Sequence, residues 1–104
     1  MNTNAREKLG IKPFDSADYL QTQEDMEQYF EACLQEGDPA LVQHALGAIA
    51  RARGMVQLAK DTGLSREGLY RSLSADGNPE FATIMKVTKA LGLSLHAGLS
   101  ARAA

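Results

Sequence analysis

Residues 57–71, QLAKDTGLSREGLYR, constrain the fold of this chain more than any other stretch. They predict two short helices separated by a tight turn at Gly63, with Ser65 as the N-cap of the second helix. This is the pattern of a helix-turn-helix, whose second helix enters the major groove of DNA. The apolar positions that are spaced to pack the two helices together are Leu58, Ala59, Leu64, Leu69 and Leu73.

The outward-facing side chains of the second predicted helix suit contacts to base edges. Arg66 and Arg71 can each donate two hydrogen bonds to guanine, and Glu67 can accept one from cytosine. Tyr70 suits a phosphate or a thymine methyl group, and the amides that Ser65 caps can meet a phosphate. The predicted DNA-binding residues are therefore Ser65, Arg66, Glu67, Tyr70, Arg71, Gln57 and Lys60.

Gly68 is unusual because it lies inside the second predicted helix, where glycine costs about 1 kcal/mol relative to alanine. We expect a close approach at this position, either to the first helix or to DNA, to compensate. Arg51, Arg53 and Lys60 add flanking positive charge for contacts with phosphates. The alternative to DNA recognition is that the outward side chains are an ordinary solvated helix surface.

Capping residues and apolar periodicity predict three further helices, so the fold class is all-α with five helices. Residues 22–37 form the first, between a threonine N-cap and a glycine. The second starts at Asp38-Pro39, an N-cap followed by a proline in the first turn, and runs to about Arg53. Asn78-Pro79 repeats this start for the last helix, which stops at Gly92. The side chains expected to be buried are Met26, Tyr29, Phe30, Cys33 and Leu34, then Leu41, Ala45, Leu46 and Ile49, then Phe81, Ile84, Met85, Thr88 and Leu91.

The 104 residues are expected to form one domain with two short extensions. We predict an N-terminal arm over residues 1–21, a helical domain over 22–92 with the motif at about 55–74, and a C-terminal tail over 93–104. Apolar residues alternate with polar or small ones over 93–99, which indicates a short strand. A frayed tail is the alternative, because a lone strand has no partner within a helical chain.

The net charge of −2 conceals an uneven distribution of charge along the chain. Residues 1–40 carry three basic against nine acidic side chains, a net −6, whereas residues 41–104 carry eight against four, a net +4. An acidic front and a basic back suit two partners of opposite charge. A chance distribution of solvated charges is the alternative.

The composition argues against secretion, membrane insertion and catalysis. The N-terminal residues lack an apolar run, so we expect no signal peptide, and no apolar stretch is long enough to span a bilayer. Cys33 is the only cysteine, which suits a reducing cytoplasm, and its place in an apolar stripe predicts a buried thiol. His44 and His96 have no carboxylate or cysteine at metal-ligand spacing, and no phosphate-binding glycine loop or nucleophile elbow occurs. We therefore predict a cytoplasmic protein that is not an enzyme and needs neither metal nor cofactor.

The order and spacing of these motifs resemble those of the addiction-module antidote proteins, which are HigA-like antitoxins with a lambda-repressor-like (Xre/Cro) helix-turn-helix. The resemblance covers roughly residues 13–95. It is carried by Phe14-Asp15, Asp18-Tyr19-Leu20, and residues 38–41, 46–54, 57–59, 63–70 and 77–81.

This resemblance implies an antitoxin that neutralises a RelE/HigB-like toxin, which is a small mRNA-cleaving nuclease. It also implies that the protein binds its own operator DNA as a homodimer and represses its own operon. Arg66, Glu67 and Arg71 match the base-reading positions of the class. Met55 departs from it, because many Cro-like proteins have a phosphate-binding glutamine there, and Gln57 lies on a different face of the helix.

An RNA-binding nuclease must present positive charge, so the acidic front of this chain is a suitable surface for it. We predict that residues 13–36 carry much of the toxin contact, although the acids could serve only to solubilise the first helix. The 93–99 segment could add a strand to the toxin's sheet or to a second protomer. The predicted toxin-binding residues are Phe14, Asp18, Tyr19, Glu24, Glu27 and Glu31.

Two other functions stay open on the sequence. One is a stand-alone phage-type transcriptional repressor. The other is a protein-interaction antitoxin with weak or no DNA binding, which the isoelectric point of about 5.6 favours because most compact DNA-binding proteins are basic.

Overall fold

A computed structural model describes residues 19–99, and five helices lie within this range. No strand occurs among the described residues, so the predicted all-α class holds for them. The predicted toxin-binding residues Phe14 and Asp18, and most of the proposed arm, lie outside the described residues. Among the helices inside them, none is both long and apolar enough to cross a bilayer. The helices are α1 (Gln23–Glu36), α2 (Pro39–Arg53), α3 (Met55–Thr62), α4 (Arg66–Ser72) and α5 (Phe81–Ala90).

The first two helices begin at the predicted capping residues. The hydroxyl of Thr22 accepts a hydrogen bond from the amide of Asp25 at 3.0 Å, and the Asp25 carboxylate accepts one from the amide of Thr22 at 3.1 Å. This reciprocal pair is a capping box. Helix α1 ends at Gly37, and α2 begins after Asp38, whose carboxylate accepts a hydrogen bond from the amide of Ala40 at 3.0 Å.

The hydrophobic core forms around α2, which contacts both α1 and α3, while α3 contacts α4 and α5. Leu46 and Ile49 of α2 are fully enclosed, as are Leu69 of α4, Val87 of α5 and Leu91, the residue that follows α5. The remaining buried apolar residues are Leu20, Met26, Phe30, Cys33, Ala45, Ala48, Ala50, Met55, Leu58, Leu73 and Leu93. Leu34, Tyr29 and Leu41 lie nearer the rim than predicted, since Leu34 is exposed and the other two are half-buried.

The predicted start of the last helix is wrong. Helix α5 begins after Glu80 rather than after Asn78, and no side chain caps it. The reason lies in the preceding loop, in which the amide of Gly77 donates a hydrogen bond to the carbonyl oxygen of Ser74 at 3.0 Å. This turn packs against the end of α4, so residues 78 and 79 complete the loop instead of opening the helix.

The predicted buried face of α5 is also partly wrong. Phe81 is 72% exposed and Met85 47% exposed, whereas Val87, which was not predicted, is completely buried. Val87 and Leu91 are one helical turn apart and define the inward face, and Met85, two positions before Val87, therefore lies on the opposite side. Thr88 and Leu91 are buried as predicted.

The segment after α5 is neither a strand nor simply frayed. Gly92 ends the helix with φ of 74°, and the amide of Leu93 then donates to the carbonyl oxygen of Thr88 at 2.9 Å. Leu93 is buried and Leu95 half-buried, so the first part of residues 93–99 docks on the core.

Candidate nucleic-acid interface

Helices α3 and α4 are joined by the three-residue turn 63–65 and pack against each other. Gly63 has φ of 74°, a left-handed conformation that favours glycine, and its amide donates to the carbonyl oxygen of Ala59 at 2.9 Å. Leu58 of α3 and Leu69 of α4 are buried, and Leu64 in the turn is half-buried. The two helices and the glycine turn are therefore as predicted.

The N-terminus of α4 is held by Ser65. Its Oγ accepts a hydrogen bond from the amide of Gly68 at 2.9 Å, which confirms the predicted cap. A Cβ on Gly68 would lie 2.9 Å from this same oxygen. The glycine thus makes room for the cap of its own helix. No close approach to α3 occurs, and a close approach to DNA stays a prediction.

Four predicted recognition side chains lie on the outer surface of α4. Arg66, Glu67 and Arg71 are exposed, and Tyr70 is 50% exposed. Positions 66 and 70, and positions 67 and 71, are four residues apart, so the four side chains lie on one side of the helix. Within the described part of the chain, none of the four has a hydrogen bond or ion pair, which leaves their polar groups available to a ligand.

The predicted contacts on α3 differ in their availability. Lys60 is exposed. Gln57 is exposed too, but its Nε2 donates a hydrogen bond to Oδ1 of Asp61 at 2.8 Å. The second N–H of this amide could still reach a phosphate, but the phosphate would then lie near the like charge of the Asp61 carboxylate.

Arg53, which was predicted to add flanking positive charge, is exposed but is hydrogen-bonded within the protein. Its Nη1 donates hydrogen bonds to Oε1 of Gln23 and, at 3.2 Å, to the carbonyl oxygen of Leu91. The amide of Gln23 donates to the same Leu91 carbonyl at 3.0 Å and to that of Gly92 at 3.3 Å. Arg53 and Gln23 therefore connect the start of α1 and the end of α2 to the end of α5.

Gln43 of α2 contacts the end of α4 and was missed by sequence reasoning. Its Nε2 donates to the carbonyl oxygens of Ser72, Ser74 and Gly77. These acceptors follow Gln43 by 29 to 34 residues in the chain. No local sequence pattern marks a bond over such a separation.

A second exposed surface lies on α1, where Glu24, Glu27 and Glu31 follow one another at helical spacing. Residues 19–50 contain no lysine or arginine, so no basic side chain close in the sequence offsets these negative charges. Tyr19, before α1, is 69% exposed. Oε2 of Glu31 lies 4.0 Å from Nε2 of His96, so the segment after α5 borders this acidic surface.

The single cysteine is buried, as predicted, at 4% exposure. Desolvation raises the pKa of the Cys33 thiol; the charge of Glu36 adds to this effect, and a hydrogen bond with Tyr29 opposes it. The described residues contain no group of three or more His, Cys, Asp or Glu side chains that could hold a metal ion.

Comparison with known proteins assigns the chain to a family. Residues 10–99 match the family model described as probable addiction module antidote protein. A Haemophilus influenzae protein that bears the name "Uncharacterized protein" is 54% identical over 86 residues, which cover 83% of this chain and 89% of the relative. No solved structure matches. An antidote implies a cognate toxin as its partner, and the chain belongs to the family of probable addiction module antidote proteins.

Proposed function

We propose that this antidote is a sequence-specific DNA-binding antitoxin that represses its own operon. The observation that carries the proposal is the set of unengaged side chains Arg66, Glu67, Tyr70 and Arg71 on one side of a short capped helix. In this proposal α3, the turn and α4 are a lambda-repressor-like (Xre/Cro) helix-turn-helix, and α4 is the recognition helix.

The side chains of α4 have distinct roles in this proposal. Arg66 and Arg71 donate paired hydrogen bonds to guanine, and Glu67 accepts one from cytosine. Tyr70 and, on α3, Lys60 contact the DNA backbone. The protein acts as a homodimer on two half-sites whose centres are about 34 Å apart.

DNase footprinting on the DNA upstream of the gene tests this assignment. Arg66→Ala and Arg71→Ala should each weaken specific binding by about 5- to 150-fold, which corresponds to 1–3 kcal/mol per paired contact. Arg66→Lys and Arg71→Lys are matched controls that keep the charge, so they should retain non-specific binding and lose sequence discrimination. If both alanine variants bind like the parent, α4 is not the recognition helix.

We also propose that the toxin is a RelE/HigB-like mRNA-cleaving nuclease and that the acidic surface of α1 binds it. Glu24, Glu27 and Glu31 are exposed, and their negative charge complements the positive surface that an RNA-binding nuclease needs. The arm residues Phe14, Asp18 and Tyr19 extend this contact in the proposal. The compartment is the cytoplasm, where such a toxin meets mRNA.

Toxin binding by a charge-reversed variant separates the two surfaces. Glu27→Lys should weaken toxin binding, most of all at low salt, and leave DNA binding at the parent level. Asp76→Lys reverses an exposed charge outside α1 and is the control. Deleting residues 1–18, which keeps the buried Leu20, should also weaken toxin binding; unchanged toxin affinity in both variants would refute the acidic surface.

A protein-interaction antitoxin with weak DNA binding is the second candidate, favoured by the isoelectric point of about 5.6. It predicts that the parent protein gives no footprint but still binds the toxin. A stand-alone phage-type repressor predicts the reverse, and the absence of a small basic nuclease encoded beside this gene would support it.

A further inference from the structure

The side chain of Gln43 reaches from α2 to the C-terminal end of α4. Its Nε2 donates to the backbone carbonyl oxygens of Ser74 at 2.5 Å, Gly77 at 2.7 Å and Ser72 at 3.3 Å. All three partners are acceptors, so they face the amide nitrogen rather than the amide oxygen, and they share its two hydrogens. Gln43 is half-buried. Loss of its hydrogen bonds would therefore leave the three carbonyl oxygens without these donors, which costs free energy of folding.

These carbonyls belong to the backbone that closes α4. Ser72 is the last residue of the helix, and Ser74 and Gly77 bracket the turn that follows. A Cβ on Gly77 would lie 2.4 Å from the carbonyl oxygen of Arg71, so this turn is packed directly against the last turn of the helix. The last carbonyls of any helix lack partners within it, and here Gln43 supplies donors from another helix.

The backbone of α2 approaches the same end of α4. Gly47 is one turn after Gln43, and a Cβ on it would lie 2.9 Å from the carbonyl oxygen of Leu73. Helix α2 is at the centre of the core, with Leu46 and Ile49 completely buried. The contacts of Gln43 and Gly47 therefore attach the end of α4 to the helix that lies at the centre of the buried core.

We propose that Gln43 is a positioning residue for DNA recognition and acts through Arg71. By bonding the backbone that follows α4, it holds the last turn of that helix, and so the guanidinium group of Arg71, in the orientation that reads a base. A paired contact tolerates displacements of only about 0.5 Å, so loss of this support weakens it. The inference rests on the proposed DNA-binding function and adds a residue that does not itself touch DNA.

A double-mutant cycle tests the proposal by footprinting on the DNA upstream of the gene. Gln43→Met keeps the length of the side chain and removes its N–H donors, and we expect about a tenfold loss of specific affinity. In the Arg71→Ala background the same substitution should cost less than about twofold, because the side chain that it positions is absent. Gln28→Met, on the outside of α1, is the matched control and should bind like the parent.

Three results would overturn the proposal. Gln43→Met could bind as well as the parent, or it could cost the same factor with and without Arg71, as a purely structural role requires. A parent protein that leaves no footprint would refute the proposed DNA-binding function and this inference with it. If Gln43→Met does not fold, Gln43→Asn, which keeps the amide but is one methylene shorter, enters the same cycle with the same expected coupling.

Discussion

Two positions in this antidote are restricted by the atoms packed around them. Gly77 lies against the carbonyl oxygens of Arg71 and Ser72, which leaves no room for a Cβ. Cys33 is surrounded by core side chains, where water cannot solvate a thiolate. Each restriction makes a testable prediction about stability.

Gly77→Ala should destabilise the fold by about 1–3 kcal/mol, because overpacking forces the backbone to shift. Its Cβ would lie 2.4 Å from the carbonyl oxygen of Arg71 and 2.5 Å from that of Ser72. Urea denaturation measures the change. Gly98→Ala is the matched control, since a Cβ there meets no atom within 4 Å, and equal stability of the two variants would contradict the packing of this loop.

The buried thiol should make stability depend on pH in the alkaline range. Burial raises the pKa of Cys33 above its ordinary value of 9.0, so the unfolded chain loses the thiol proton at a lower pH than the folded chain. The contribution to stability is therefore present below about pH 9 and is lost as the pH rises further. Urea midpoints at about pH 7 and about pH 10 should show a smaller alkaline decline for Cys33→Ala. An identical decline would mean that other groups cause it.

The stability of the helices depends more on their ends than on their central turns. Helix α4 has only seven residues, fewer than an isolated helix needs to be stable in water, so its cap and its packing against α3 must hold it. Helix α1 has a complete capping box, whereas α5 has no side-chain cap and depends on burial of Val87 and Leu91. The recognition surface proposed for α4 is therefore sensitive to its N-cap.

Ser65→Ala should cost about 1 kcal/mol of stability, because the amide of Gly68 loses the acceptor that it has at 2.9 Å. DNA affinity should fall, since the cap orders the helix that carries Arg66 and Arg71, while toxin affinity should stay at the parent level. Urea unfolding and both binding assays measure these effects. Ser94→Ala, at an exposed position outside the helices, is the control, and a Ser65→Ala variant as stable as this control would refute the role of the cap.

In the whole molecule, two surfaces of different charge are held by one core. The acidic surface belongs to α1, and α4 carries the exposed side chains of Arg66 and Arg71. Arg53 and Gln23 connect the ends of three helices, so the guanidinium group of Arg53 has a structural role within the protein. This role separates Arg53 from Lys60, although both were predicted from the sequence to supply flanking positive charge for phosphates.

Arg53→Met should lower stability by about 1–2 kcal/mol, because the carbonyl of Leu91 and the side chain of Gln23 lose a charged donor. The salt dependence of DNA binding should not change, since this guanidinium contacts no phosphate in the proposal. Lys60→Met is the matched comparison and should leave stability near that of the parent. It should reduce the slope of log DNA affinity against log salt concentration by about 1. A reduced slope in Arg53→Met would show that it contacts DNA after all.

The sequence was sufficient for features that depend on neighbours a few residues apart. The caps at Thr22, Asp38 and Ser65, and the turn at Gly63, were predicted correctly because each is made within about four residues. Apolar periodicity likewise identified the inward faces of α1 and α2, apart from their rims. These local signals determine the all-α class and the short helix pair.

The remaining features depended on contacts between distant parts of the chain. The bond from Gln43 to Gly77 spans 34 residues and that from Arg53 to Leu91 spans 38, so no local pattern reveals either. The inward face of α5 was partly mispredicted for the same reason, because Phe81 and Met85 satisfy a helical period as well as Val87 does. Which of these side chains became buried was decided when α5 packed against α3, since burial depends on the surface that a neighbouring helix presents.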